Sequence, residues 1–461
     1  MPYVTVNDTF ERASRVGHTN AALRAVADRA TFHVPAEHLV DIERLVPKIH
    51  PRSDFPVPED AARLTSAIAI DGSRTIARVR DGLPSVVYGY AQAAAAYVDL
   101  GILEFQRAER FIDPVAMERA VNTALVSLDL PVAGAYTREG IGIATSWREA
   151  LDRLFRSKRV EVNRLDQTLL DLLMLLHGEP GNPADTVPVN CPYDACERQD
   201  VPVPSSATDC PGCGGRLFPT DVLRIHEEVI EEGTNESPLS RLMSVVELLV
   251  LVGLTTLLWE QSRSGALPAT LFIVDGPLAM YGPPAKLRGR AETYFQRMTE
   301  ATPGDGPFVC GLEKSGTMVD YARQLARHGV LKPGELLVCD HEVIEVVTNT
   351  DQPKRYGKET YWGRKFIYRA LDGRVVVPTV MPKSGHAYDA HGGSPGPDGY
   401  PTLAAILDVI DRTGSSMYRD GVIPVAVAHG KAAFPIGVGT DVLRLVAQRI
   451  LGLDRAGGTD T

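Results

Sequence analysis

Residues 65–74 read Thr-Ser-Ala-Ile-Ala-Ile-Asp-Gly-Ser-Arg. The apolar, β-prone run Ile68-Ala69-Ile70 is followed at once by Asp71, Gly72 and Ser73. Such a run predicts a buried strand, and Asp-Gly predicts a turn out of it. A carboxylate at the tip of a buried strand is rigidly held and partly desolvated, yet reaches a cleft. Hard divalent cations take oxygen ligands of that kind. A plain strand and tight turn would carry the same signature. The echo at Leu271-Phe-Ile-Val-Asp-Gly-Pro-Leu278 changes the balance: four apolar residues again lead into Asp275 and Gly276. Two such strands side by side would bring Asp71 and Asp275 to one edge of a sheet, as a metal site requires.

The rest of the sequence bounds what such a site can serve. At 461 residues, 44% hydrophobic and 23% charged, the chain has room for two or three domains or one elaborated domain. The start, Met1-Pro-Tyr-Val-Thr-Val-Asn-Asp8, lacks the basic and apolar regions of a signal peptide. Met243–Trp259 is apolar nearly all round but short for a membrane span and carries Glu247, so it reads as a buried core helix. A cytoplasmic protein with no membrane association is the expectation. The net charge of −10 argues against broad electrostatic attachment to nucleic acid, though not against a carboxylate-rich nuclease served by a basic partner.

Residues 1–60 read as a helical N-terminal arm, with Val26, Leu39, Ile42 and Leu45 at helical spacings and a Pro-rich linker over Pro51–Pro58. Pro84–Val98 is strand-like. Residues 114–178 read as helical: Leu125, Leu128 and Leu130 lead to a turn at Pro131, Trp147, Leu151, Leu154 and Phe155 form an amphipathic face, and Leu165–Leu176 is a dense apolar helix closed by His177. Four cysteines follow in two pairs, Cys191 with Cys196 and Cys210 with Cys213. The second pair has the Cys-Pro-Gly-Cys-Gly-Gly knuckle, and together they predict a structural zinc ribbon in a reducing compartment. Asp221–Glu232, with His226, reads as an acidic, solvated helix.

Within the apolar helix, Glu247 has no water on most sides and must be paired, neutral or bound to a cation. Glu260, near the helix end, is the second choice. Helix Ala285–Thr299 is basic at its start, with Lys286, Arg288 and Arg290. Phe308–Lys314 reads as a strand that delivers Lys314 to offset negative charge. Tyr361–Arg369 and Arg374–Val380 form a hairpin across Asp372-Gly373, whose Tyr361, Arg364, Lys365 and Arg369 could hold a DNA strand by stacking and charge. His429 ends a strand-like run, Ile423–Lys431, as a ligand or proton shuttle.

In this order the pieces resemble the NurA nuclease family. The resemblance runs through Ala69-Ile-Asp-Gly-Ser73, Arg241–Glu247, Phe272-Ile-Val-Asp-Gly276, Gly311-Leu-Glu-Lys-Ser315 and Ala426-Val-Ala-His429, across residues 61–450. It implies an RNase H-like mixed α/β sheet flanked by helices, divided as 61–185, the zinc-ribbon insertion 186–218 and 219–461. It also implies a manganese-dependent nuclease that resects DNA ends, as a homodimer docked on a hexameric HerA-type ATPase. Carried over by residue, Asp71 and Asp275 match the strand-borne metal carboxylates, Glu247 the helix-borne one, Lys314 the lysine and His429 the late histidine. Three departures stand out: the interval from Glu247 to Asp275 is long, Gly421 stands where a tyrosine is expected, with Tyr418 the nearest substitute, and the zinc ribbon is an insertion relative to the smaller archaeal members.

The expectation is therefore a Mn²⁺- or Mg²⁺-dependent deoxyribonuclease in DNA repair or antiviral defence, with two ions about 3.5–4 Å apart. A non-catalytic adaptor of a DNA translocase is the alternative from another class. A phosphatase acting on small substrates is a third.

Overall fold

The computed structural model describes residues 42–55, 64–80, 83–108, 121–162, 165–261, 265–302, 306–348, 360–383, 396–414, 421–433 and 438–451. The chain divides into two compact units between Asp41 and Ile42, and every described residue lies in the second. Most of the expected N-terminal arm, and Tyr418, lie outside the described residues.

The core is one nine-stranded mixed sheet. Its strands are β1 (Ile49–Pro51), β2 (Ser66–Arg80), β3 (Leu83–Asp99), β4 (Val121–Ala133), β5 (Thr270–Asp275), β6 (Phe308–Glu313), β7 (Glu335–Val338), β8 (Arg364–Arg369) and β9 (Val375–Val380). Their spatial order is β1-β7-β8-β9-β6-β5-β2-β3-β4. β2, β5 and β6 run parallel, while β3, β4 and β9 run antiparallel to their neighbours. The mixed α/β sheet flanked by helices that the sequence predicts is therefore present. The helices are α1 (Leu100–Ala108), α2 (Ile143–Ser157), α3 (Leu169–His177), α4 (Glu236–Glu260), α5 (Leu287–Ala301), α6 (Thr317–Arg327), α7 (His341–Thr348), α8 (Leu403–Arg412), α9 (Ile423–Ala432) and α10 (Val438–Ile450).

Alternation along the central strands feeds two cores, since successive side chains leave a strand on opposite faces. Ile68, Ile70 and Phe272 join a core built on α3, α4 and α5, whereas Ala67, Ala69, Leu271 and Ile273 join one built on α8 and α9. By the same alternation Asp71 and Asp275 fall on the α9 face. The alanine-rich stretch Ala91–Ala96 of β3 lets helices approach closely from both faces. α4 is long and apolar enough to cross a membrane, yet 72% of its apolar window is packed inside the protein, as a core helix should be. Its single interior glycine, Gly253, marks a close contact: a Cβ there would lie 2.9 Å from Leu172 of α3.

Several sequence expectations need correction. β2 does not end at Asp71 but runs on to Arg80, paired throughout with β3. Its pairing with β5 is what stops, at the last pair Val274–Ile70. The Leu125–Pro131 stretch, expected to be helical, is β4: Val126, Leu128, Leu130 and Val132 are buried on alternate residues, a period of two. The helix expected from Leu165 begins at Leu169, because Leu165–Thr168 forms a small hairpin with Arg159–Val162. Asp221–Glu232 is no continuous helix; short 3₁₀ turns occupy Pro219–Leu223 and Ile225–Glu228. Ile423–Lys431, expected as a strand, is α9, with Pro424 in its first turn, where the missing N–H costs no hydrogen bond. Ile49–Pro51, expected in the arm, is the edge strand paired with β7.

Candidate metal centres

Parallel pairing of β5 with β2 places Asp275 and Asp71 next to each other, one residue beyond the last paired positions. The loop after Asp275 is pinned down. Gly276 adopts φ +105°, and its N–H donates to Leu312 O at 3.0 Å. A Cβ at Gly311 beneath it would lie 2.5 Å from Leu278 N, so only glycine admits the loop there. On β2, a Cβ at Gly72 would meet Glu247 Oε1 at 2.6 Å and Met243 Cγ at 2.7 Å, so α4 rests directly on the strand beside Asp71.

α9 brings the third group. The carbonyl of Ala432 at its C-terminal end accepts from Ser73 Oγ and Gln92 Nε2, which ties the helix to β2 and β3. His429 Nδ1 then lies 2.6 Å from Asp71 Oδ2, and Lys314 Nζ, just past β6, lies 2.7 Å from Asp275 Oδ2. One ligand atom each from Asp71, Asp275 and His429 fall within 4.8 Å of one another.

The electrostatics are those of an acid pair crowded together. Asp71 is 4% exposed, and its carboxyl is pushed up to about 6, first by burial and then by the negative charge of Asp275. The hydrogen bond from His429 and the charge of Lys314 oppose the rise without cancelling it. A cation between the carboxylates would relieve both burial and repulsion. Two carboxylate oxygens with one imidazole nitrogen form a donor set suited to a divalent ion, so these residues fit a metal centre.

Glu247 is not in that cluster. It is buried on α4, on the opposite face from Asp71, and accepts from Gly72 N–H. Burial, then Asp71 and Asp275, hold its carboxyl well above the usual range. It does share with Asp275 a cavity of about 90 Å³. Glu260 is exposed at the end of α4 and joins no candidate cluster among the described residues.

The expected hairpin forms, but its reading as a DNA-holding surface is corrected. Tyr361, Arg364 and Lys365 are buried. Lys365 Nζ pairs with Glu313 at 2.5 Å, Arg369 donates to the carbonyls of Leu331 (2.8 Å) and Ala326 (3.3 Å), and Tyr361 OH meets Tyr281 OH at 2.7 Å. Those side chains hold the sheet and present no stacking surface for a DNA strand. The residues the sequence reading left without a role, Ser73 and Gln92, are the ones that fix α9 and hence His429. A helix C-terminus needs partners for its carbonyls, but nothing local in sequence says which residues supply them.

The second centre is the cysteine cluster. Antiparallel pairs Thr186–Val189 with Val201–Pro204 and Thr208–Asp209 with Arg216–Leu217 frame it. Cys191 and Cys213 sulfurs lie 3.6 Å apart, and Cys196 and Cys210 sulfurs 3.7 Å. Four thiolates at 2.3 Å from one ion stand about 3.8 Å apart along a tetrahedron's edges, so the set fits a tetrahedral ion. Backbone N–H groups of Cys213 and Gly212 pull the Cys210 thiol down to about 6, toward the thiolate that a metal binds. His177, read as a helix-terminal charge, is instead neutral at ordinary pH: burial, its largest cause, takes it down to about 4.

No protein-family model matches the chain, and no curated protein matches it. Among solved structures it is similar to a crystal structure of NurA, at 12% identity over 95% of this chain and 97% of that one, with a TM-score of 0.31. A crystal structure of NurA with manganese is similar at 11% identity over 96% of this chain and 97% of that one, with a TM-score of 0.28. The reading of both centres rests on their own geometry.

Proposed function

We propose that the chain is a metal-dependent DNA nuclease centred on Asp71, Asp275 and His429, with Lys314 as the local cation. The observation that supports it most is the register of β2 and β5, which sets two buried-strand carboxylates side by side with an imidazole and an ammonium already bonded to them. Mn²⁺ or Mg²⁺ suits the oxygen-rich set, and zinc suits the four thiolates. Bound at the carboxylates, a divalent ion supplies Lewis-acid activation of water and of a phosphodiester. Asp71, Asp275 and His429 would hold it, whereas Glu247, on the opposite face of the sheet, lies outside that set. Lys314, released from Asp275, offsets charge that develops on the phosphate. The His429 side chain, 58% exposed, would leave the centre open to water on that side. The net charge of −10 favours DNA that is delivered to the site over DNA captured by a broad basic surface, which suits a homodimer working with a HerA-type ATPase in repair or antiviral defence.

The test is cleavage of linear duplex DNA in Mn²⁺, with and without a co-expressed HerA-type ATPase. The parent should cut and Asp71→Asn should not, with folding and zinc content unchanged. Cleavage by Asp71→Asn at the parent's rate would refute the assignment. An inactive parent that still binds the ATPase would favour the adaptor reading.

A further inference from the structure

The start of α5 carries three cations, Lys286, Arg288 and Arg290, that the metal centre does not use. With Arg224 they line a groove of about 620 Å³, and Asn190 and Asp200 of the ribbon line it too. Four lining residues are thus cationic and one, Asp200, is anionic, in a chain of net charge −10. Arg288 is paired with Glu292 at 2.9 Å and Arg224 with Glu227 at 2.6 Å. Lys286 and Arg290 are exposed and have no carboxylate partner among the described residues.

Lys286 is already helical, so Lys286 and Arg290 lie four residues apart on one helical face, about 6 Å along the axis. Unneutralised like charges at that spacing repel each other, and a ligand with regularly spaced anions would remove the repulsion. His177, which also lines the groove, adds no compensating charge: it is held neutral, by burial first and by Arg290 next. Guanidinium groups favour phosphate through their planar fork of donors. The groove is also close in sequence to the chemistry. Only residues 276–281 separate Asp275 from Gly282 at its rim, and that segment walls the cavity shared by Asp275 and Glu247.

We propose that this groove is a backbone-binding track for nucleic acid, in which Lys286 and Arg290, backed by Arg288 and Arg224, hold phosphodiester groups of the strand passing to the Asp71–Asp275 centre. Only the destination of that strand rests on the nuclease reading; the binding does not. The ribbon then has a use beyond stapling, because it forms one wall of the track.

The test is fluorescence anisotropy of a labelled duplex oligonucleotide with full-length protein, without added divalent ion, across a salt series. Lys286→Ala with Arg290→Ala should weaken binding at least tenfold and flatten the slope of log K against log salt by nearly two units. Gly289→Glu provides a gentler arm: its Cβ meets nothing within 4 Å, so the variant adds a negative charge to the groove without a clash. It should weaken binding as well. A charge control, Arg327→Ala with Lys332→Ala, should bind like the parent. Groove variants that bind no worse than the charge control, or a parent that binds no duplex, overturn the track. Intact binding through the groove with no Mn²⁺-dependent cleavage leaves the track standing and refutes the nuclease reading alone.

Discussion

At the scale of residues, the centre depends on a few positions where nothing larger or less polar fits. Gly72 is the sharpest case, because its neighbour on β2 is Asp71 of the candidate centre and its own missing side chain is the space that Glu247 and Met243 occupy. Replacing glycine by alanine within a strand ordinarily gains about 0.5–1 kcal/mol of backbone entropy. Here the contacts at 2.6 and 2.7 Å are both to buried or half-buried side chains of α4, and overpacking of that kind costs about 1–3 kcal/mol. The steric cost wins, so Gly72→Ala should lower the urea midpoint with little change in slope. An unchanged or higher midpoint would mean that Glu247 moves aside freely.

At the scale of elements, a buried ion pair lies where the ribbon meets the body. Arg148 on α2 donates to both carboxylate oxygens of Asp221 at 2.8 Å and to Arg216 O at 2.7 Å, and its guanidinium lies 5.1 Å from the Tyr193 ring centroid and 5.5 Å from that of Phe218. Asp221 is 1% exposed. Arg148→Met would keep much of the volume but leave that carboxylate buried and unpaired, a change that costs about 3–5 kcal/mol. Urea unfolding should report a loss of that order, and a loss below about 1 kcal/mol would mean that water reaches Asp221 in the variant.

The elements also show what sequence could and could not reveal. The strands carrying Asp71 and Asp275 were legible because Ile68–Ile70 and Leu271–Val274 are apolar runs bounded by Asp-Gly, and the core helix because Glu247 was alone in its apolar length. β4 was misread although Leu128 and Leu130 lie two apart, a strand spacing that the surrounding apolar residues masked. α9 was misread because Ile423, Val425 and Val427 favour strands, while Pro424, a good first-turn residue, was the contrary signal. The aromatic and basic pattern of Tyr361–Arg369 suggests a surface, but Tyr361, Arg364 and Lys365 are buried, and Lys365 pairs with Glu313 of β6. Charge in a strand does not imply exposure when a partner such as Glu313 lies across the sheet.

At the scale of the whole molecule, the sheet is what turns distant sequence into a site. Asp71 and Asp275 are 204 residues apart in sequence, as are the paired positions Ser66 and Thr270 in β2 and β5. His429 arrives from a helix whose C-terminal carbonyl at Ala432 is tied to β2 and β3 by Ser73 and Gln92. In a chain of net charge −10, the lining of the α5 groove has four cations to one anion, the charge balance that the proposed track requires.

Asp71, Asp275 and His429 make a candidate divalent-cation centre distinct from the four-thiolate ribbon. Titration with Mn²⁺, followed by the electron paramagnetic resonance of the free ion, tests it most directly. The parent should take up Mn²⁺, whereas Asp71→Asn and Asp275→Asn should lose that uptake while retaining their zinc. Mn²⁺ binding by both variants with the parent's affinity would contradict the account.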